Sequence, residues 1–186
     1  QFLYQSLGNA PVTKSSTAER IIPVAGGEPI RLRDPAVAAF LAWLVPGLGH
    51  IYQRRTAKGV QFMITILGTF MYGLFLGEGH VVYASWRPED RRLPYLCQVA
   101  VGLPALPALV QARRTVPLWN GFMAPPQDQR ELDSWHRRLN KYFELGTVYT
   151  MIAGLLNVFA IYDAWAGPAI VDDEEEGDEP ERAPPT

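Results

Sequence analysis

The side chains of this sequence that could bind a charged ligand are concentrated in one short basic turn. His50 stands close to Arg54, Arg55 and Lys58, at the end of an apolar segment that contains a proline and two glycines. Guanidinium and ammonium groups donate charge-assisted hydrogen bonds to phosphate, so this cluster could contact a lipid headgroup or another anion. Basic residues that flank a membrane hairpin also act as topology determinants and interfacial anchors, which is the alternative interpretation.

Patterns typical of enzymes are missing from the sequence. His50, His80 and His136 have no metal-ligand spacing, and the sequence contains neither a nucleophile elbow nor a phosphate-binding loop. A haem held by two of these histidines is the one cofactor arrangement that is conceivable. The single cysteine, Cys97, excludes an intrachain disulfide and a multi-cysteine metal site. The sequence therefore predicts no catalytic residue, no metal ligand and no cofactor.

A second polar position lies inside the last apolar segment. Asn157 is near the middle of that segment, and Thr150 and Gly154 precede it on roughly the same helical face. A polar side chain in hydrocarbon needs a partner, so this face is expected to pack on protein through an interhelical hydrogen bond. Transport or proton relay is the alternative. Gly73 and Gly77, four residues apart in the second segment, are the other predicted helix-packing positions.

Four apolar segments of roughly membrane-spanning length position these residues. They cover residues 35–52, 59–77, 93–110 and 145–166. Asp34 and Pro35 predict a defined helix start for the first segment, whereas Pro46 predicts a kink or a partly unwound end. Pro104 and Pro107 predict a bend or a break in the third segment, where a re-entrant path is the alternative to a full crossing.

One further helix is predicted over residues 128–143. It begins with a capping-box variant in which Asp128 is the N-cap and Glu131 follows three residues later. Its apolar stripe and basic polar side predict a helix on the membrane surface, and packing on another protein is the alternative. The helix is expected to continue without a clear break into the fourth segment. The predicted interfacial anchors are Trp135, Tyr142 and Trp165.

Both ends of the chain are polar. Residues 1–33 form an arm without helical or strand periodicity, and residues 169–186 form an acidic, proline-rich tail. The formal net charge is -2, with most of the acidic excess in the tail. The sequence therefore offers no broad basic face to nucleic acid.

Asp163, near the end of the last apolar segment, is expected at the membrane interface.

Basic residues near the segment ends predict an orientation. With four crossings, the 53–58 turn and the 113–141 connection lie on one side of the membrane. Together they carry roughly nine Lys and Arg residues, against about five to eight on the other side. The predicted location is the bacterial inner membrane, with both basic connections in the cytoplasm and both termini outside it.

Residues 39–53, AFLAWLVPGLGHIYQ, are followed by Lys58, Gly59 and a second apolar helix. This pattern resembles the TM2-domain-like hairpins of bacterial membrane proteins. The stretches 146–150, GTVYT, and 153–157, AGLLN, extend the resemblance to an uncharacterised multi-span membrane family of planctomycete bacteria. The resemblance implies a membrane architecture and implies no activity.

The sequence thus predicts an all-α polytopic membrane protein with about four transmembrane helices and one amphipathic interfacial helix. The predicted function is that of a non-catalytic structural or accessory subunit of a larger membrane or envelope complex. Its predicted partners are membrane lipids and other membrane subunits or further copies of itself. The second hypothesis is a lipid- or small-solute-binding or transport protein that uses the basic hairpin turn and the bent third segment. The third is a membrane enzyme or electron carrier.

Overall fold

The protein is mostly helical, and two of its helices are long and apolar enough to cross a membrane. The structure, a computed structural model, describes residues 20–22, 30–88 and 90–167. The helices are α1 (Pro35–Leu44), α2 (Leu48–Tyr52), α3 (Thr56–Leu76), α4 (Pro94–Gln98), α5 (Leu106–Ala112), α6 (Gln129–Leu139) and α7 (Lys141–Ala166). Short 3₁₀ turns lie at Val99–Val101, Leu103–Ala105 and Trp119–Gly121. The two helices of spanning length are α3 and α7.

Two short strand pairs accompany the helices. In the N-terminal arm, β1 (Arg20–Ile22) pairs antiparallel with β2 (Ile30–Leu32). In the loop after α3, β3 (Trp86–Arg87) pairs antiparallel with β4 (Asp90–Arg91). The sequence predicted no strand in the arm, because three residues are too few to show an alternating pattern. The tail predicted for residues 169–186 lies outside the described residues.

Helices α3 and α7 pack side by side in opposite directions. Lys58, near the start of α3, contacts Asp163, near the end of α7, whereas Gly73 lies against Gly146. We call these the Lys58 end and the Gly73 end of the bundle. A Cβ at Gly73 or at Gly146 would come too close to backbone of the other helix, so the two glycines permit this close approach.

The first predicted span, residues 35–52, is a broken hairpin. The chain turns at Pro46 and Gly47 after α1, and α2 then returns along α1. The carbonyl of Tyr52 accepts a hydrogen bond from Arg33 Nη1 at 3.1 Å, so both ends of the segment lie at the Lys58 end. The single crossing helix predicted here is therefore corrected to a hairpin that enters and leaves at one end.

The third predicted span, residues 93–110, is a second broken hairpin. Its first arm, α4 and the following 3₁₀ turn, runs along α7 from the level of Thr147 to that of Asn157. The chain then turns at Gly102, and α5 returns to the Gly73 end, where Gln111 bonds to the next loop. The break predicted from the prolines is confirmed, and the chain folds back there.

The two hairpins enter the bundle from opposite ends and meet beside α7. A Cβ at Gly102 would overlap the carbonyl oxygen of Trp43, and Gly102 has φ +85, where side chains are strained. Gly47, at the tip of the first hairpin, also has φ +85 and lies against the backbone of Gly59. Direct backbone contacts therefore join the tips to each other and to α3.

The hairpins also match in sequence at an offset of 58 residues, the separation of Pro46 and Pro104. The shared residues are Ala42 and Ala100, Pro46 and Pro104, Leu48 and Leu106, and Gln53 and Gln111. One of the two antiparallel long helices follows each hairpin. A broken hairpin followed by a long helix therefore occurs twice along the chain, in opposite directions. Few positions are shared, so the sequence pattern did not predict this repeated arrangement.

Helix α6 begins as predicted. Asp128 Oδ1 accepts the N–H of Glu131 at 2.8 Å, and the Glu131 carboxylate accepts the N–H of Gln127 at 2.7 Å. The continuous passage into the last segment is wrong, because Asn140 has φ +47 and separates α6 from α7. The amphipathic segment and the long apolar helix are therefore two separate elements.

Candidate functional site

Asn157 lies where the two hairpin tips meet, and its side chain is fully buried. Its Nδ2 donates one hydrogen bond to the carbonyl oxygen of Ala42 at 3.1 Å and another to that of Ala100 at 2.9 Å. A side-chain amide has two N–H donors, and both are used here. One residue of α7 therefore holds both hairpins.

Two prolines explain why these carbonyls need a donor from elsewhere. In an α-helix the carbonyl of residue i accepts from the N–H of residue i+4, which is Pro46 for Ala42 and Pro104 for Ala100. Proline has no N–H, so a continued helix could satisfy neither carbonyl. A buried acceptor without a donor costs roughly 1–3 kcal/mol. The amide of Asn157 removes this cost at both hairpins.

The other packing residues predicted for α7 lie on the same face as Asn157. Thr150 Oγ1 accepts a hydrogen bond from Gln98 Nε2 at 2.8 Å. Gly154 lies against the carbonyl of Cys97, where a Cβ would overlap the oxygen. All three residues are buried and face the second hairpin. The polar face of α7 thus packs on backbone of the same chain.

Gly73 and Gly77, the predicted small-residue pair of α3, have different neighbours. Gly73 faces α7, with Gly146 opposite it. Gly77 is the C-cap of α3 and faces the side chain of Val81 in the following loop. The backbone N of Gly77 also lies within 3.1 Å of the position of a Cβ at Gly146, so both glycines stand where α3 and α7 approach each other.

Gln53 and Gln111 close the two hairpins at their outer ends. Gln53 Nε2 donates to the carbonyl of Ala164 at 2.6 Å, and Gln111 Nε2 donates to those of Leu118 and Phe122 at 2.8 and 2.9 Å. Both glutamine side chains are buried. Neither glutamine was among the predicted site residues, although the offset of 58 residues that aligns the two prolines also aligns these glutamines.

Asp163 gathers the basic residues at the Lys58 end. Its carboxylate lies 2.8 Å from Lys58 Nζ, 2.7 Å from His50 Nε2 and 3.3 Å from Arg55 Nη1. His50 is fully buried and packs on the ring of Phe62, whereas the other three side chains are partly exposed. The contact of Asp163 with the basic turn was not predicted, because 105 residues separate Asp163 from Lys58.

This pairing limits what the basic turn can bind. The carboxylate partly neutralises the charge of Arg55 and Lys58, and it occupies donors that an external anion would need. Arg54 is exposed, has φ +65 and is not among the salt-bridge partners of Asp163. In the part of the chain that the structure describes, no group of three or more His, Cys, Asp or Glu residues could share a metal ion. The geometry favours a structural link between the turn and α7.

The predicted interfacial anchors have different surroundings. Trp135 is buried beneath α6, where its ring packs on those of His80 and Tyr83. Its prediction as an interfacial anchor is corrected, because this face of α6 packs on the protein itself. Tyr142 and Trp165 are about half exposed and stand at opposite ends of α7.

Apolar side chains cover the outside of α3 and α7. In their apolar stretches, only 28% of the residues of α3 and 39% of those of α7 are buried. The exposed side chains of these two helices include Ile64, Phe75, Val148, Leu155, Phe159 and Tyr162. The core helix of a soluble protein is mostly buried, so an apolar surface of this extent needs lipid or another protein against it.

The chain matches the sequence model of one protein family over residues 37–177. That family is described as a family of unknown function (DUF6677). The matched range contains both hairpin tips and both long helices. No curated protein and no solved structure matches the chain.

Proposed function

The chain belongs to DUF6677, a family of unknown function, and we propose that it is a non-catalytic integral membrane protein that serves as a structural or accessory subunit of a larger membrane assembly. The observation that carries the proposal is the exposed apolar surface of α3 and α7, around an interior occupied by the two hairpins. The bacterial inner membrane is part of the proposal, supported by the resemblance of residues 39–53 to TM2-domain-like hairpins.

Helix lengths support the membrane placement. A helix of 21 residues, such as α3, is about 31 Å long, close to the roughly 30 Å of a bilayer's hydrocarbon core. Helix α7 has 26 residues and reaches beyond this thickness, with Tyr142 and Trp165 near its two ends. Each hairpin would then be re-entrant. Broken backbone at membrane depth needs protein donors, and Asn157 supplies them.

The bonding of the interior polar groups supports a structural role. Asn157, Gln98 and Gln111 each donate to backbone carbonyls of the same chain. Their hydrogen bonds therefore join one segment of the protein to another. A transport or catalytic site would instead direct such groups at a substrate or at a water-filled cavity.

In the proposed arrangement only α3 and α7 cross the membrane. This changes which connections are predicted to lie on the same side of it. The 53–58 turn lies at the Lys58 end and the 113–141 connection at the Gly73 end, so they would face opposite sides of the membrane. Nine of the chain's 17 Lys and Arg residues lie between residues 77 and 141. The other eight lie in residues 1–58 and 169–186, so the margin is one residue. On the positive-inside rule we propose that the Gly73 end faces the cytoplasm and that both termini lie outside it.

Cysteine labelling in sealed vesicles tests this topology. In a Cys97→Ala background, Arg54→Cys should react from one side of the membrane, and Thr115→Cys and Asp133→Cys from the other. All three replaced side chains are exposed. Labelling of positions 54 and 115 from the same side would contradict the two-crossing arrangement and support four crossings.

Extraction from the native membrane tests the subunit role. Membranes that contain the tagged chain are first washed with alkaline carbonate. Release of the chain by this wash would contradict the membrane placement. It is then extracted in mild detergent, sized on a native gel and analysed for companions by mass spectrometry. A large complex of fixed stoichiometry supports an accessory subunit. A lone small oligomer contradicts it and favours a lipid- or solute-binding function.

A further inference from the structure

We infer that the Gly73 end carries a binding site for an anionic phospholipid, formed by three arginines and an adjoining apolar groove. The inference rests on the proposed membrane placement and adds a specific lipid ligand to it. The site lies around the loop that follows the second hairpin and is separate from the basic turn at His50.

The headgroup part is a cavity of about 420 Å³ between residues 111–117 and 124–127. Arg87, Arg113 and Arg114 line it, together with polar side chains such as that of Thr115. Among the described residues, its lining contains no carboxylate. Three guanidinium groups around one cavity attract a phosphate, which they can bind through paired N–H donors.

The arginines of this cavity are available to a ligand to different degrees. Arg113 and Arg114 are exposed, and neither forms a salt bridge with a described residue. Arg87 Nη1 donates to the carbonyls of Pro126 and Gln127, both at 3.1 Å. These bonds hold the guanidinium of Arg87 at the cavity wall and leave its remaining N–H groups for an anion.

The acyl part is a second cavity, of about 820 Å³, that shares Arg113, Arg114 and Thr115 with the first. Its other lining residues are all apolar, namely Leu109, Val110 and Val116. Val110 and Val116 are 45% and 72% exposed. A positive polar cavity that opens directly onto an apolar groove matches a molecule with a phosphate at one end and a hydrocarbon chain at the other.

Two exposed tryptophans indicate the depth of this site. Trp86 precedes Arg87 by one residue, and Trp119 lies in the loop that follows Arg114. Each is 62% exposed. Exposed tryptophan is typical of the membrane–water interface, where lipid phosphates also lie. A membrane phospholipid fits both cavities, whereas a free phosphate would use only the first.

Lipid titration of the purified full chain in detergent tests the proposal. Phosphatidylglycerol is compared with phosphatidylcholine by native mass spectrometry, and the anionic lipid should bind about tenfold more tightly. The Arg113→Gln/Arg114→Gln double variant should lose this preference. Arg130→Gln/Arg137→Gln removes the same charge from exposed positions of α6 that do not line either cavity. This control should change the affinity by less than about threefold.

The groove is tested by Val110→Asn/Val116→Asn, which changes two exposed side chains and leaves the arginines in place. It should weaken phosphatidylglycerol binding, and glycerol phosphate without acyl chains should compete poorly. Equal losses of phosphatidylglycerol affinity in the two arginine double variants would overturn the site. Displacement of the lipid by glycerol phosphate at the same concentration as the lipid would also overturn it. A chain that resists the carbonate wash but shows no preference for phosphatidylglycerol overturns the site alone, whereas release by the wash refutes the membrane placement.

Discussion

Replacement of Asn157 by leucine tests whether one amide holds both hairpins. Leucine has a similar size but no donor, so the carbonyls of Ala42 and Ala100 would lose their hydrogen bonds inside the bundle. Each buried acceptor that is left without a donor costs roughly 1–3 kcal/mol. Two such acceptors give an expected loss of about 2–6 kcal/mol in the free energy of unfolding for Asn157→Leu.

This expectation exceeds that for ordinary hydrogen bonds between membrane helices. Such bonds contribute roughly 0.6 kcal/mol on average, so two would account for about 1.2 kcal/mol. The average is small because polar groups also find partners when the helices are separated in the membrane. The carbonyls of Ala42 and Ala100 lack the usual helical partner, since Pro46 and Pro104 have no N–H.

Unfolding by sodium dodecyl sulfate in mixed micelles, followed by tryptophan fluorescence, measures this difference. Thr69→Val is the matched control, because Thr69 Oγ1 donates to the carbonyl of Thr65 in its own helix at 2.7 Å on an exposed face. The control should change the free energy of unfolding by less than about 0.5 kcal/mol. A loss of about 1 kcal/mol or less for Asn157→Leu would refute the double role of the amide.

Two further substitution pairs test the hairpin tips and the Asp163 cluster. Gly102→Ala should cost about 2 kcal/mol or more, because a Cβ would meet the carbonyl of Trp43 at a positive φ. Gly68→Ala is the control, because Gly68 lies in a helix and a Cβ there meets open space. It should stabilise the protein by about 0.5–1 kcal/mol. Similar melting temperatures for the two variants would contradict the contact between the hairpin tips. Asp163→Asn should lower the free energy of unfolding by about 1–3 kcal/mol, since it leaves two cations and a buried histidine without their carboxylate. Asp133→Asn, at an exposed position of α6, is the control and should lower the free energy of unfolding by less than about 0.5 kcal/mol in the same chemical unfolding assay. Equal losses of unfolding free energy for the two variants would contradict a stabilising role of the Asp163 cluster.

Local signals in the sequence were enough to locate the helix starts and breaks. Asp34 and Asp128 predicted two helix starts, and both side chains accept a backbone N–H there. Pro46 and Pro104 predicted breaks, and the helices are interrupted at both. Capping and proline effects act over about four residues, which is why a single sequence reveals them.

The direction of the chain after each break could not be predicted. An apolar segment of about 18 residues that contains a proline has the same composition whether it crosses a membrane or folds back. Here the fold-back is set by contacts such as that of Gly102 with Trp43, which belong to different hairpins. Contacts of this kind depend on packing and leave no local pattern.

The partners of Asn157 and Asp163 could not be predicted from the sequence. The apolar surroundings of Asn157 predict that its amide needs a partner, because an unpaired polar group in hydrocarbon is costly. Its acceptors, Ala42 and Ala100, lie 115 and 57 residues away, and Asp163 meets Lys58 across 105 residues. The need for a hydrogen bond is a property of a residue and its neighbours in the chain, so it is visible in the sequence. Which groups meet that need depends on how distant backbone segments pack, so the partners become visible only in the folded chain.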